Sequence, residues 1–207
     1  MLLRIHPETP QERKIKEAAD CLKNGGIIIY PTDTVYGIGC DIFNVRAIER
    51  VCAIKEIKPE KANLSFVCHD LSHLSDFALP FDKQVYKLMN KNLPGPFTFI
   101  LNAANTVPKL LRSKRKTVGI RVPDNAIARA IVRELGNPIL SASLKFTTDE
   151  EDVLEYPTDP EEIYEQYEQL VDIVIDGGYG NNTPSTIVDC TEPEITIVRQ
   201  GLGELLW

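Results

Sequence analysis

Short apolar runs that alternate with amphipathic helical patterns constrain the fold of this chain more than any other feature. The run from Ile27 to Tyr30 is β-branched and uninterrupted, which is typical of a buried strand. Asn44 and Asp82 each precede apolar residues with helical spacing, and Gly136 follows a third such pattern. Strands are predicted at 27–30, 64–68, 97–101, 117–122, 139–141, 173–175, 186–188 and 195–198. These patterns predict an α/β fold, a mixed sheet covered by helices, in one domain over residues 1–207.

Several classes of protein do not fit the composition. No apolar run is long enough to span a membrane, and the N-terminal residues become charged too early for a signal peptide. The five cysteines form no CxxC pair, which favours reduced, mostly buried thiols in a cytoplasmic protein. His69 and His73 have the i, i+4 spacing of a helical metal pair, but no third ligand is suggested nearby. We therefore predict no metal site there, only a surface helix over 71–77 that Asp70 caps.

Charge is distributed unevenly along the chain. Residues 148–207 hold 16 of the 30 acidic residues but only one of the 23 basic residues, Arg199. The densest basic stretch runs from Lys109 to Arg121 and contains no acidic residue. Either a solvated loop or a site for a polyanion such as RNA explains the first part of this stretch. Arg121 differs because it lies inside an apolar run, where an arginine requires an anion as its partner, either a protein carboxylate or a ligand.

Polar side chains collect where the predicted strands begin or end. The segment PTDTVYG follows the first strand, Ser141-Ala142-Ser143 ends a later one, and Ser185 opens another. Turn chemistry alone also explains the first segment, and an internal salt bridge also explains Arg199. In open α/β sheets, however, ligands bind at strand ends, and hydroxyls with Arg or Lys are donors that suit phosphates and carboxylates. These residues predict a site for a small anion, with a nucleotide as one candidate.

The order of several longer motifs is that of a known family. GGIIIYPTDTVYGIGCD, PGPFTFIL, VGIRVPDN, SAS, PSTIVDC and IVRQG follow one another between Gly25 and Gly201. This order resembles the YrdC-like family of threonylcarbamoyl-adenylate synthases. The resemblance implies a twisted open sheet around a large, positively lined cavity. It also implies a nucleotidyltransferase that converts L-threonine, bicarbonate and ATP into threonylcarbamoyl-AMP and pyrophosphate, for threonylcarbamoyladenosine modification of tRNA.

The resemblance also implies roles for individual residues. Catalysis is assigned to Lys55 and Ser141. The implied threonine-binding residues are Thr34, Arg121, Ser141 and Ser185. The implied nucleotide-binding residues are Asn63, Thr117, Ser143 and Arg199. ATP enters as a substrate with Mg²⁺, and neither a bound cofactor nor a protein-held metal is expected. Double-stranded RNA or tRNA is a further expected partner, and a membrane is not.

The chain departs from the family pattern at a few positions. Ile57 stands where the pattern Lys-x-Arg places an arginine, Ser143 where Ser-x-Asn places an asparagine, and Cys68 where a histidine is usual. This combination resembles the YciO branch of the family. Lys58, Lys61 and Lys145 are the candidates to replace the missing arginine, and the sequence does not choose among them. Three functions therefore stay open: a weak synthase, a non-catalytic protein that binds double-stranded RNA or nucleotides in the same cavity, or a related carbamoyl or acyl transfer to a different small acceptor.

Overall fold

The computed structural model describes residues 1–57, 64–108, 116–145 and 156–207. Within these ranges the chain forms ten strands and five α-helices. The strands are β1 Leu2–Arg4, β2 Ile28–Tyr30, β3 Gly37–Asp41, β4 Ser65–Val67, β5 Phe97–Asn102, β6 Thr117–Arg121, β7 Ile139–Ser143, β8 Ile173–Asp176, β9 Thr186–Asp189 and β10 Thr196–Arg199. The helices are α1 Glu12–Lys23, α2 Val45–Ile54, α3 Lys83–Asn92, α4 Ala126–Leu135 and α5 Pro160–Tyr167.

All ten described strands join one open, mixed sheet in the order β1-β8-β2-β3-β7-β4-β6-β5-β9-β10. The sheet contains both parallel pairs, such as β4 with β6, and antiparallel pairs, such as β3 with β7. The sheet therefore confirms the predicted mixed α/β fold. Among the described residues, no helix is both long and apolar enough to cross a membrane.

Helices cover both faces of the sheet, and strand alternation decides which side chain meets which layer. Ile28 and Tyr30 belong to a core cluster with α1 and α4, whereas Ile29 between them belongs to a larger cluster with α2, α3 and α5. All three side chains are fully buried. Because successive side chains of a strand point to opposite faces, a strand between two helical layers has no polar face of its own.

Three helix ends follow the local sequence as predicted. The side chains of Asn44 and Asp82 accept hydrogen bonds from the amides of the first turns of α2 and α3. Gly136 ends α4 in the left-handed conformation, with a φ of 87°. The apolar pattern fails to predict β1 and β3, of which β3 bears on the site because it contains Gly37 and Gly39.

Candidate functional site

One face of the sheet changes from apolar to polar along β7, β6 and β5. Leu140, Val118 and Ile120 point into the larger core, so their neighbours in sequence point to the opposite face. The residues on that opposite face are Ser141 and Ser143 of β7, Thr117, Gly119 and Arg121 of β6, and Thr98 of β5. Strands β7, β6 and β5, with β4 between the first two, thus carry hydroxyls, a glycine and one guanidinium where α1 and α4 no longer supply apolar partners.

Tyr30 crosses β3 to reach this polar face. Its hydroxyl donates a hydrogen bond of 2.7 Å to Oγ of Ser141. A β-carbon on Gly39 would lie 3.2 Å from the Tyr30 ring and 2.6 Å from the Ile139 side chain, so only glycine leaves room at this position. Burial raises the pKa of Tyr30 to about 12, which keeps the phenol a neutral donor. The hydroxyl of Ser141 accepts this bond, and its own proton remains to be donated to a ligand.

Arg121 is the centre of a buried polar cluster. Its Nη2 lies 2.6 Å from Oδ1 of Asp33, 2.6 Å from Oγ1 of Thr34 and 3.0 Å from Oγ1 of Thr32. The Arg121 and Asp33 side chains are only 8% and 9% exposed. Thr32 in turn donates to the carbonyl of Val35, which fixes the loop after β2. The anion predicted for Arg121 is therefore a protein carboxylate, Asp33.

The buried ion pair leaves two polar atoms without a partner. Oδ2 of Asp33 and Nε of Arg121 are buried and accept or donate no hydrogen bond in the structure. All three contacts of the guanidinium use Nη2, which carries only two hydrogens. A buried polar atom without a partner costs free energy, and such atoms in a native structure often mark a ligand site. A free acceptor and a free cationic donor in one cluster suit a ligand that carries both an ammonium and a carboxylate.

Ser185 belongs to a second cluster of hydroxyl-bearing side chains, on the same side of the sheet. Its Oγ is 2.9 Å from Oγ1 of Thr98. Arg199 donates from Nη2 to the Ser185 carbonyl over 2.6 Å. Among the described residues Arg199 has no ion pair, so the internal salt bridge considered for it is not found there. Burial lowers the pKa of Arg199; Tyr156 opposes this shift, and the charge of Arg121 adds to it.

Lys55 reaches the polar face from the far side of the sheet. It caps the C-terminus of α2, and its Nζ donates to the carbonyl of Ser143 over 2.7 Å. Lys55 and Ser143 thus meet at the end of β7, but the contact uses the backbone and not the hydroxyl. Thr117 is half-buried in β6 opposite Asn102. Asn63 lies outside the described residues, as do Lys58, Lys61 and the basic residues between 109 and 115.

An open cleft borders the Arg121 cluster. It has a volume of about 560 Å³ and is lined by Thr32, Asp33, Thr158, Tyr179, Gly180, Asn181 and Asn182. The amide of Asn181 donates to the carbonyl of Thr34 over 3.0 Å, which holds the far wall against the loop after β2. Small ligands therefore have access to the Asp33 side of the cluster.

The two histidines with helical spacing have separate protein partners. Nε2 of His69 accepts a hydrogen bond of 3.1 Å from Nε of Arg133, whereas His73 lies beside Asp76 and is exposed. The predicted helix over 71–77 is wrong, because only Leu74–Asp76 forms a 3₁₀ turn. The side chain of Asp70 accepts from the amide of Ser72 within a tight turn and caps no α-helix. Burial and the charge of Arg133 lower the pKa of His69, which keeps the ring neutral as an acceptor.

Comparisons with known proteins identify the family and bear out the fold. Residues 20–201 match the family model Sua5_yciO_yrdC, which carries the description "Telomere recombination". The chain belongs to the Sua5/YciO/YrdC family. It is 43% identical over 202 residues to YciO of Escherichia coli (strain K12), covering 97% of this chain and 95% of that protein. The crystal structure of E. coli YciO superposes with a TM-score of 0.89 at 41% identity, covering 99% of this chain and 97% of that one.

Two other members of the Sua5/YciO/YrdC family carry names that bear on function. A threonylcarbamoyl-AMP synthase of Pseudoalteromonas translucida (strain TAC 125) is 31% identical over 186 residues, covering 87% of this chain and 95% of that protein. The crystal structure of P. abyssi Sua5 in complex with L-threonine superposes with a TM-score of 0.87 at 25% identity. The match covers 97% of this chain but 57% of the Sua5 chain, which is longer.

The structure adds residues for which the sequence alone predicted no role. Asp33 stands inside the quoted segment PTDTVYG, yet nothing in the sequence pairs it with Arg121. Tyr30 ends an apolar run and Thr98 lies within one, so both resemble core residues in sequence. A polar atom within an apolar strand is the one signal that was available for Tyr30 and Thr98, because such atoms need hydrogen-bond partners.

Proposed function

We propose that this protein binds L-threonine, bicarbonate and ATP and forms threonylcarbamoyl-AMP, releasing pyrophosphate. The observation that carries the proposal is the half-satisfied pair of Arg121 and Asp33. The free Nε of Arg121 suits the carboxylate of an amino acid, and the free Oδ2 of Asp33 suits its ammonium group. The names of the P. translucida synthase and of the threonine complex of P. abyssi Sua5 support the same assignment.

The second support is the balance of charge around the polar face. Lys55, Arg121, Arg199 and Lys145 lie at this face or at its edge, and Asp33 is the one described carboxylate that forms an ion pair with any of them. This excess of positive charge suits a polyanion such as a nucleotide triphosphate. Thr117 and Ser143 offer further hydroxyls for the nucleotide.

The proposed reaction has two steps. The amine of threonine attacks bicarbonate, and loss of water leaves a carbamate. An oxygen of that carbamate then attacks the α-phosphorus of ATP, and pyrophosphate leaves. The protein's contribution is to hold the carbamate against the nucleotide, which makes the second step effectively intramolecular. The cations stabilise charge on the phosphate oxygens.

Mg²⁺ would arrive with ATP. Mg²⁺ prefers carboxylate oxygens and water, and Asp33 is the described carboxylate that lies within the cluster. That carboxylate is already paired with Arg121, so we assign no Mg²⁺ ligand to the protein.

Pyrophosphate release tests the proposal. Wild-type protein should release pyrophosphate from ATP only when threonine and bicarbonate are both present, and threonylcarbamoyl-AMP should be detected by mass spectrometry. Ser141→Ala should slow the release roughly tenfold or more, because the substrate loses one hydroxyl donor. Ser72→Ala, which changes an exposed serine that is not part of the polar face, is the matched control.

The competing function is RNA or nucleotide binding without turnover. It depends on the basic run before Arg121, whose residues 109–115 lie outside the described part of the chain. Double-stranded RNA binding that survives Ser141→Ala, together with no adenylate under any condition, would favour that function over the synthase.

A further inference from the structure

Lys145 lies two residues beyond Ser143, whose carbonyl accepts a hydrogen bond from Lys55. Lys55 is fixed at the end of β7 by its bond to the Ser143 carbonyl. Beyond β7 the backbone continues alongside β3, because the amide of Leu144 donates to the carbonyl of Tyr36 over 2.9 Å. The Leu144 side chain is buried in the larger core, so Lys145 returns to the side of Ser143.

An aromatic ring defines the position of the Lys145 ammonium group. Nζ of Lys145 lies 5.7 Å from the centre of the Tyr156 ring, within the range of a cation–π contact. The same Tyr156 interacts electrostatically with Arg199 and opposes the lowering of its pKa by burial.

The two lysines form a like-charged pair without compensation from the described residues. Neither has a described carboxylate within ion-pair distance. Burial, together with the charge of Lys145, lowers the pKa of Lys55 below its usual range. Two half-buried ammonium groups that repel each other are stabilised when an anion binds between them.

Ile57 does not compete for this position. It packs against the larger core cluster beneath α2. The backbone amide of Ile57 donates to the carbonyl of Cys52, and the backbone amide of Glu56 donates to the carbonyl of Ala53. Glu56 itself has a φ of 52°. This is a Schellman ending of the helix, in which the residue at the position of Ile57 places an apolar side chain back against the helix.

We infer that Lys145 is the second phosphate-binding cation of this protein and that it grips the triphosphate of the nucleotide together with Lys55. The inference rests on the proposed function for the identity of the nucleotide, but not for the binding of phosphate groups. Lys145 thereby supplies the charge that the arginine of the family pattern would supply from the position of Ile57.

Calorimetric titration with ATP and with inorganic tripolyphosphate tests the inference. Lys145→Met should weaken the binding of both probes roughly ten- to hundredfold, the loss expected for one charged hydrogen bond, and Lys145→Arg should restore it. Lys87→Met removes the same charge from an exposed position on α3 and should change neither affinity. Threonine binding should stay as in the wild type.

Proton uptake separates a phosphate contact from a structural role. A bound anion raises the lowered pKa of Lys55, so at alkaline pH binding takes up protons, measured as a difference in heat between two buffers. Lys145→Met should reduce this uptake, because without the neighbouring charge Lys55 is already more fully protonated before binding. Equal uptake in Lys145→Met and wild type would overturn the inference.

The outcomes distinguish this inference from the proposed function. Tripolyphosphate binding that depends on Lys145, in a protein that makes no adenylate, would keep the inference and reject the synthase. Adenylate formation that is unchanged in Lys145→Met would keep the synthase and reject the inference. Wild-type protein that binds neither probe at millimolar concentration would overturn both.

Discussion

The buried pair of Arg121 and Asp33 should behave as one energetic unit. Arg121→Met leaves the Asp33 carboxylate, 9% exposed, without its counter-ion. Breaking such a pair from one side costs about 3–5 kcal/mol of unfolding free energy. For a domain of this size that corresponds to a melting temperature lower by about 6–20 °C.

The double variant decides whether charge causes this loss. Asp33→Asn alone should cost about 1.5–3 kcal/mol, because the guanidinium keeps Thr34 and Thr32 as partners. Arg121→Met with Asp33→Asn removes both charges, so its loss should fall short of the sum of the single losses by about 1 kcal/mol or more.

Urea unfolding at neutral pH, followed by circular dichroism, measures all three variants. Lys23→Met breaks an exposed pair with Asp20, whose side chains are 44% and 49% exposed, and should cost only about 0–1 kcal/mol. Strictly additive losses, or an Arg121→Met loss no larger than that of Lys23→Met, would refute the pairing.

Three further predictions concern packing, thiols and the altered family positions. Gly39→Ala should lower the unfolding free energy by about 1–3 kcal/mol, because the new β-carbon would lie 2.6 Å from a β7 side chain. Gly136→Ala should lower it by only about 1–2 kcal/mol, because no atom lies within 4 Å of the new β-carbon and the cost comes from the φ of 87° alone. Native protein should react slowly with a thiol reagent at pH 8, because partial burial raises the pKa of Cys21 to about 11 and the other four cysteines are more deeply buried. Cys21 should react first, and reaction of all five thiols at the rate of urea-unfolded protein would contradict this. The family pattern predicts that Ile57→Arg with Ser143→Asn increases adenylate formation. We expect instead that this double variant loses about 1–2 kcal/mol of unfolding free energy, because the core contact of Ile57 is lost, and that it raises pyrophosphate release little. A tenfold gain in pyrophosphate release from Ile57→Arg alone would show that this side chain can leave the core.

The sequence predicted most elements because their signals are local. Asn44 and Asp82 cap helices through amides two or three residues away, so the contact needs no knowledge of the rest of the fold. β3 escaped prediction because Gly37 and Gly39 lower strand propensity. The reason for those glycines is the ring of Tyr30, which needs their missing side chains to reach Ser141, 111 residues away in the chain.

In the candidate site, too, local signals were predicted and contacts between residues distant in the chain were not. A buried arginine in an apolar run predicts an anionic partner from desolvation alone, and the structure supplies one. Which carboxylate serves as partner depends on the pairing of β6 with β4 and on the path of the loop after β2. Those contacts join Asp33 to Arg121 across 88 residues, a distance over which a single sequence contains no pairing signal.

Local signals also account for the isoleucine at position 57. At the second residue beyond a Schellman ending, an apolar side chain closes the helix, and Ile57 does so against the larger core. The arginine that the family pattern places at this position would neutralise a bound anion. Any cation at the same edge of the sheet can do this instead. Lys145 stands at that edge because β7 ends at Ser143 and the backbone continues in register with Tyr36. In this chain Ile57 closes the helix, and the anion binding that we propose is assigned to Lys145.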